Sequence, residues 1–157
     1  MAKRKFLRDA DPRAFNIMMG FDRYLAESSL TRIHWELIKI RVSQINGCSY
    51  CIDKHSRDAV NAGESMQRIY LLPVWRETPL FSPEERLILA LAEEMTLIAG
   101  KGVSDKVYDN ALGLLGQQYL TEVMMAIIAM NAWNRVGITT ERRPDPIDPP
   151  KPPGQSA

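Results

Sequence analysis

Both cysteines of the chain and one of its two histidines lie within eight consecutive positions, in the stretch CSYCIDKH. In a helix, Cys48, Cys51 and His55 fall along one stripe, and Cys51 and His55 are direct i,i+4 neighbours. A helix N-terminus favours thiolate, a nearby imidazole accepts the thiol proton, and two cysteines spaced CxxC can bridge reversibly. The stretch therefore predicts thiol redox chemistry.

The residues leave other interpretations open. The cysteines could form a disulfide staple, pack as buried apolar groups, or bind zinc together with His55 and either His34 or Glu36. No apolar segment follows the basic N-terminus as in a signal peptide, so we expect a cytoplasmic protein. In a reducing compartment, a paired cysteine motif is more typical of catalysis or metal binding than of a staple.

Glu36 is predicted to join this stretch from the preceding helix. The Asn46-Gly47 pair breaks that helix, so the two helices should run antiparallel and in contact. Glu36 lies about three turns before the break and His55 about two turns after it, which brings both to a similar level. We expect the carboxylate to orient the imidazole or relay a proton, and its partial burial to raise its pKa. His34 is expected only to pack.

All of the elements that position these residues are predicted to be helices. Apolar residues recur at helical spacing, and start signals precede several segments, such as Asp11-Pro12 and Ser82-Pro83-Glu84-Glu85. The predicted helices run from Pro12 to about Ala26, 31–45, 48–61, 65–72, 83 to about 100, 104 to about 113–116, and about 117–136. The pattern contains no strand alternation, which argues against a thioredoxin fold. We predict an all-α fold of about six helices with the CxxC at a helix N-terminus.

Length and composition favour one ordinary globular domain. The chain has 157 residues, 45% hydrophobic and 25% charged, with a net charge of +1. Residues 1–143 are predicted to form the helical domain, and residues 144–157 a proline-rich, disordered or extended tail. The near-neutral charge gives no reason to expect nucleic-acid binding, and no apolar run is long enough to span a bilayer.

The arrangement of Glu36, eleven residues, Cys48-x-x-Cys51, three residues and His55 resembles the signature of the AhpD-like alkylhydroperoxidases. These proteins belong to the carboxymuconolactone decarboxylase superfamily. The resemblance is detailed over residues 30–63 and looser at "IIAMNAWNRVG", which is similar to an N-x-x-N-R segment of the family. Asn131, Asn134 and Arg135 in that segment are expected to be structural.

The resemblance implies a thiol-dependent peroxidase with an AhpD-like fold. It makes Cys51 the thiol that attacks a hydroperoxide, Cys48 the resolving thiol, and Glu36 and His55 the proton relay. It further implies an external dithiol reductant, such as a lipoyl or thioredoxin-like protein, and a homo-oligomer, a trimer or hexamer. No cofactor or metal is expected. The best-known members of the family have histidine immediately before the second cysteine, where this chain has Tyr50, a candidate substrate contact.

Two other functions remain open for the same scaffold. One is a lyase or isomerase related to carboxymuconolactone decarboxylase, with His55 and Glu36 as acid and base. The other is a non-enzymatic redox sensor that uses the disulfide as a switch. Because the decarboxylase branch generally lacks the CxxC pair, Cys48 and Cys51 favour thiol redox chemistry.

Overall fold

The computed structural model describes residues 4–145 of the chain. Within this range the chain forms nine α-helices and one 3-10 helix, joined by turns and short loops. The α-helices are α1 (Leu7–Ala10), α2 (Pro12–Ala26), α3 (Arg32–Asn46), α4 (Ser49–Asn61), α5 (Met66–Leu71), α6 (Pro83–Thr96), α7 (Ile98–Lys101), α8 (Asp105–Leu115) and α9 (Gln117–Thr139); the 3-10 helix is Leu72–Glu77. No strand occurs in this range. The predicted all-α class is confirmed.

The predicted number of about six helices is wrong. Six helices have eleven residues or more, and the other three have four to six. One of the two four-residue helices, α1, carries no apolar repeat of its own and is held by tertiary packing. Phe6 packs edge-on against Phe15 with ring centroids 6.2 Å apart, and Phe15 packs in the same way on Trp133 at 5.9 Å.

The helix predicted from Pro83 to about Gly100 is also interrupted, at Leu97. The carboxylate of Glu94 on α6 accepts hydrogen bonds from the backbone N–H of Ser104, at 2.8 Å, and from its hydroxyl. Ser104 is the N-cap of α8, so the chain must turn back between these two residues.

Helix α3 lies at the centre of the fold and packs against α4, α6 and α9. Five consecutive residues, Glu36 to Ile40, are buried, so α3 is covered on all sides there. One apolar cluster joins α3 to α6, α8 and α9, and a second joins α3 to α5, the 3-10 helix and α6. Burial of apolar surface in these clusters is the main stabilising contribution to the fold.

Side-chain caps start the helices where the sequence predicts them. Asp11 accepts hydrogen bonds from the N–H groups of Arg13 and Ala14 at the start of α2, and Ser82 forms a capping box with Glu85 on α6. Such caps satisfy backbone N–H groups that lack a partner within the helix. None of the helices within residues 4–145 is long and apolar enough to cross a bilayer. Most of the predicted tail lies outside the described residues, which end at Asp145.

Candidate active site

A tight turn between α3 and α4 builds the site. Gly47 adopts a left-handed conformation with φ of 73° and ends α3. Glycine takes up this conformation without the steric strain that a Cβ atom would cause. The chain then enters α4 at Ser49, with Cys48 as its N-cap. Glu36 on α3 meets His55 on α4, on either side of this turn, so the two helices run antiparallel as predicted.

Cys48 and Cys51 form a disulfide across the first turn of α4, with their Cα atoms 5.3 Å apart. The predicted position of the CxxC at a helix N-terminus is confirmed. Both residues are nearly buried, at 2% exposed for Cys48 and 5% for Cys51. Both sulfurs lie next to Gly137 on α9, and Cys51 also lines an open cleft.

The carboxylate of Glu36 is fully buried and collects three positively polarised donors. His55 Nδ1 lies 3.1 Å from Oε2, while the guanidinium of Arg32 and the ammonium of Lys39 lie 2.8 Å and 3.2 Å from Oε1. A buried charge is tolerated when it is paired and hydrogen-bonded in this way. The ammonium of Lys39 also lies 3.7 Å from the ring centre of Trp35.

The pKa of Glu36 is lowered, which corrects the expectation that burial would raise it. Burial does oppose ionisation and is the largest single influence, but the hydrogen bond from His55 and the charges of Lys39 and Arg32 together outweigh it. Glu36 is therefore an anion near neutral pH. It can hold a proton donor in place, but it does not carry a proton itself.

The pKa of His55 is lowered because burial disfavours the imidazolium, although the hydrogen bond to Glu36 partly offsets this. The imidazole is thus neutral near pH 7. With Glu36 ionised, His55 Nδ1 carries the hydrogen and donates it to the carboxylate. The other ring nitrogen, Nε2, then has a lone pair that can accept a proton.

A cleft of about 410 Å³ opens beside Cys51 and His55. Its walls come from α2, α3, α4, the C-terminal end of α9 and the segments before α2 and after α9. Its apolar lining consists of Phe6, Phe15, Met19, Trp35, Met130 and Trp133. Tyr50, the predicted substrate contact, also lines this cleft, next to Cys51 in sequence. The structure thus brings Cys51, His55 and Tyr50 to one cavity, with Glu36 directly behind His55.

Two groups of residues lie away from the cleft. His34 shares a 2.7 Å hydrogen bond through Nδ1 with the hydroxyl of Tyr119, as a packed histidine would. The asparagines of α9 form a network with the end of α3: Asn46 donates to the side-chain oxygens of Asn131 and Asn134, at 3.0 Å and 2.9 Å. These contacts hold the end of α3, and with it the turn before Cys48, against α9.

A metal ion is poorly suited to this site. Glu36, His55 and Asp58 each offer a ligand atom within 4.8 Å of the others. However, the Glu36 oxygens already accept from cationic donors, and Asp58 Oδ2 pairs with Lys54 at 2.5 Å. The two sulfurs that a zinc site would use are bonded to each other. A cation here would have to displace at least two positive charges.

The cationic partners of Glu36 were not among the residues predicted for the site. Arg32 and Lys39 are i,i+4 and i,i+3 neighbours of Glu36 on α3, so their spacing could have revealed them. Arg142, which lies over the Tyr50 ring, could not have been found this way. It reaches the cleft only because α9 and α4 are packed together.

The sequence and the fold match a known family. The model of the carboxymuconolactone decarboxylase family matches residues 12–94, slightly more than half of the chain. The chain is 41% identical over 143 residues to the uncharacterized protein YdfG of Bacillus subtilis, covering 91% of this chain and 97% of YdfG. It is 30% identical over 104 residues to the uncharacterized protein YnjA of Escherichia coli, covering 66% of this chain and 57% of YnjA.

Solved structures agree with this assignment. A protein of unknown function from Agrobacterium tumefaciens, described as a candidate antioxidant defence protein AhpD, superposes with a TM-score of 0.88 at 32% identity, over 94% of this chain and all of the other. The debrominase Bmp8 has the same fold, with a TM-score of 0.78 at 15% identity over 87% of this chain and 73% of the other. The chain belongs to the carboxymuconolactone decarboxylase family and has the AhpD-like fold.

Proposed function

We propose that the protein is a thiol-dependent peroxidase that reduces organic hydroperoxides through Cys51 and Cys48. One observation carries the proposal: Cys51, half of a disulfide at a helix N-terminus, lines the same cleft as His55, whose imidazole is held by the buried carboxylate of Glu36. The resemblance to an AhpD-like relative at 32% identity supports the same chemistry.

The first step is attack by the Cys51 thiolate on the terminal oxygen of the hydroperoxide. His55 Nε2 takes the thiol proton, helped by the positive end of α4. The sulfur–oxygen bond forms as the oxygen–oxygen bond breaks, and the leaving alkoxide takes the proton from His55. Cys51 is oxidised by two electrons to a sulfenic acid and the peroxide is reduced to an alcohol.

The second step forms the disulfide and releases water. The Cys48 sulfur attacks the Cys51 sulfur, the sulfur–oxygen bond breaks, and the hydroxide leaves with the Cys48 proton as water. An external dithiol then reduces the disulfide by exchange and is itself oxidised to a disulfide. A lipoyl or thioredoxin-like protein has the required chemistry.

Glu36 acts through His55 and is a positioning residue in this scheme. Its negative charge fixes the tautomer with hydrogen on Nδ1 and stabilises the imidazolium that forms when the thiol loses its proton. Lys39 and Arg32 keep that carboxylate ionised.

Steady-state turnover tests the proposal. We expect multiple cycles of hydroperoxide loss with dihydrolipoamide or a reduced thioredoxin, and no turnover in Cys51→Ser. One stoichiometric oxidation without turnover, across a panel of dithiols, would instead indicate a redox sensor. Unchanged thiols in the presence of hydroperoxide would contradict both functions.

A further inference from the structure

The fold holds the guanidinium of Arg142 over the mouth of the cleft. Its central carbon lies 4.1 Å from the ring centre of Tyr50 and 4.5 Å from that of Phe6. Glu141 turns the chain with a left-handed φ of 55°, and the N–H of Arg142 donates to the carbonyl of Gly137 at 2.9 Å. This hydrogen bond is the one that closes a helix C-terminus in a Schellman motif, so the position of Arg142 is defined by the end of α9.

The cleft carries an excess of positive charge. Its charged lining consists of Arg8, Arg32, Lys39, Lys54 and Arg142 against Asp22 and Asp58. Buried Glu36 pairs with its two cationic neighbours on α3 but balances only one of their two charges, and Asp58 pairs with Lys54. Asp22 accepts a hydrogen bond from the indole of Trp133 at 3.0 Å.

Arg142 differs from the other cleft cations in its partners. Arg8 has Asp9 at 3.6 Å, and the cations on α3 and α4 have the carboxylates just named. Across residues 4–145, no carboxylate lies within 4.0 Å of the Arg142 side-chain nitrogens. The guanidinium is thus oriented by two aromatic faces, and within the described residues its fork of N–H donors faces no carboxylate.

The space between Arg142 and Cys51 suits an apolar body. Aromatic and methionine side chains form most of the wall, and a volume of about 410 Å³ is within the range of small-molecule sites. An uncharged polar ligand would leave the positive charge of Arg142 without a negative partner. A small peroxide such as hydrogen peroxide would leave the apolar walls uncovered.

We propose that the cleft binds organic hydroperoxides that carry a carboxylate, with the carboxylate on Arg142 and the apolar body against the aromatic walls. This inference rests on the proposed peroxidase function for the reactive group, but the carboxylate site stands on geometry of its own. Arginine binds carboxylates through two parallel hydrogen bonds, and a guanidinium already stacked on aromatic rings loses little freedom on binding.

Binding without chemistry tests the carboxylate site first. Decanoate and decanol are titrated into the disulfide form, and the fluorescence of Trp35 and Trp133, two of three tryptophans, reports cleft occupancy. We expect decanoate to bind better than decanol, and Arg142→Met to weaken decanoate about tenfold or more with decanol unchanged. Arg143→Met, an exposed neighbour outside the cleft lining, is the matched control and should change neither.

Two outcomes would overturn the carboxylate site. One is equal binding of decanoate and decanol by the unmodified protein. The other is equal loss of both ligands in Arg142→Met, because this would indicate a general change in the cleft. If Arg142 binds the carboxylate, Arg142→Met must weaken the binding of decanoate and leave the binding of decanol unchanged.

Turnover then separates this inference from the proposed function. A fatty-acid hydroperoxide and its methyl ester are compared, and Arg142→Met should raise KM for the acid while leaving the ester unchanged. If both peroxides turn over and Arg142 makes no difference, the inference is wrong and the function holds. If neither turns over while decanoate binding depends on Arg142, the site is real and the peroxidase assignment is wrong.

Discussion

The buried carboxylate of Glu36 contacts two cations, Arg32 and Lys39, and the neutral imidazole of His55, and the proposed proton chemistry depends on this carboxylate. Replacing Glu36 with glutamine keeps the shape and removes the charge. We expect kcat/KM of Glu36→Gln with a hydroperoxide to fall about a hundredfold or more, the range of general acid–base effects. The same variant should lose about 3–5 kcal/mol of unfolding free energy, because it leaves Lys39 buried without its anion.

The double variant Glu36→Gln/Lys39→Met separates these two effects. Removing the buried ammonium with its partner should restore much of the stability, measured by urea unfolding, while activity stays low. Wild-type kcat/KM in Glu36→Gln would show that the carboxylate has no part in the reaction.

The protonation of His55 gives a direct readout of its surroundings. Its pKa is lowered chiefly by burial, while Glu36 raises the pKa and Lys39 lowers it. The midpoint of the His55 imidazole resonances in an NMR titration should therefore lie below the usual value of about 6.5. It should move up in Lys39→Met and down in Glu36→Gln.

His34 is the internal control for that titration. It is the other histidine of the chain, and its pKa responds to burial and then to Glu85, Glu84 and Arg68. Its midpoint should not follow the substitutions at Glu36 or Lys39. Parallel movement of both histidines would indicate a change in the whole fold.

At the residue scale, the sequence predicts the contacts that helical spacing determines. Counting turns on either side of Gly47 places Glu36 beside His55, and the structure has them 3.1 Å apart. The sign of the Glu36 pKa shift was predicted wrongly, because burial was weighed without Arg32 and Lys39. The contact of Arg142 with Tyr50 could not be predicted, because the two residues are far apart in the sequence and meet only in the folded domain.

At the scale of elements, the close approach of α9 to the disulfide limits the size of the side chain that position 137 can accommodate. A Cβ at this position would lie 3.5 Å from the Cys48 sulfur and 3.8 Å from the Cys51 sulfur, which is ordinary contact. Gly137→Ala should therefore stabilise the protein by about 0.5–1 kcal/mol through helix propensity. Gly137→Val should cost about 1–3 kcal/mol by overpacking and slow oxidation by hydroperoxide.

Gly113 on α8 provides the matched control for Gly137. It is exposed, and a Cβ there would meet nothing within 4 Å. Alanine or valine at this position should alter stability only through helix propensity and leave the oxidation rate unchanged. If Gly137→Val oxidises as fast as the Gly113 variants, the packing of α9 does not limit access to the thiols.

Helix starts were predictable and some helix ends were not. Asp11, Thr31, Ser82 and Ser104 cap their own helices through side-chain hydrogen bonds, and these are local signals in the sequence. The turn that follows Leu97 is accompanied by the contact of Glu94 with Ser104, and α1 is accompanied by the packing of Phe6 on Phe15 and of Phe15 on Trp133. Such contacts exist only once the helices have assembled.

At the scale of the whole molecule, both histidines make stability depend on pH. The pKa of each is lowered in the folded protein, so between the folded value and about 6.5 the unfolded chain binds more protons. The unfolding free energy should therefore fall as pH drops below about 6.5. Urea unfolding between pH 7.5 and 5 measures this slope.

His34→Gln/His55→Gln should flatten that slope. The carboxylates with lowered pKa values, among them Glu36 and Glu93, titrate below this range and contribute only at more acid pH. A slope of the same size in the double variant would mean that other groups govern the acid sensitivity of the fold.

The most direct test of the account is the identity of the sulfur that a hydroperoxide oxidises first. Reduced Cys48→Ser is exposed to one equivalent of hydroperoxide with a sulfenic-acid trap, and the adduct is located by mass spectrometry. We predict a single adduct on Cys51 and, in Cys51→Ser, at most slow labelling of Cys48. Fast labelling of Cys48 in Cys51→Ser, or no adduct on Cys51 in Cys48→Ser, would contradict the proposed mechanism.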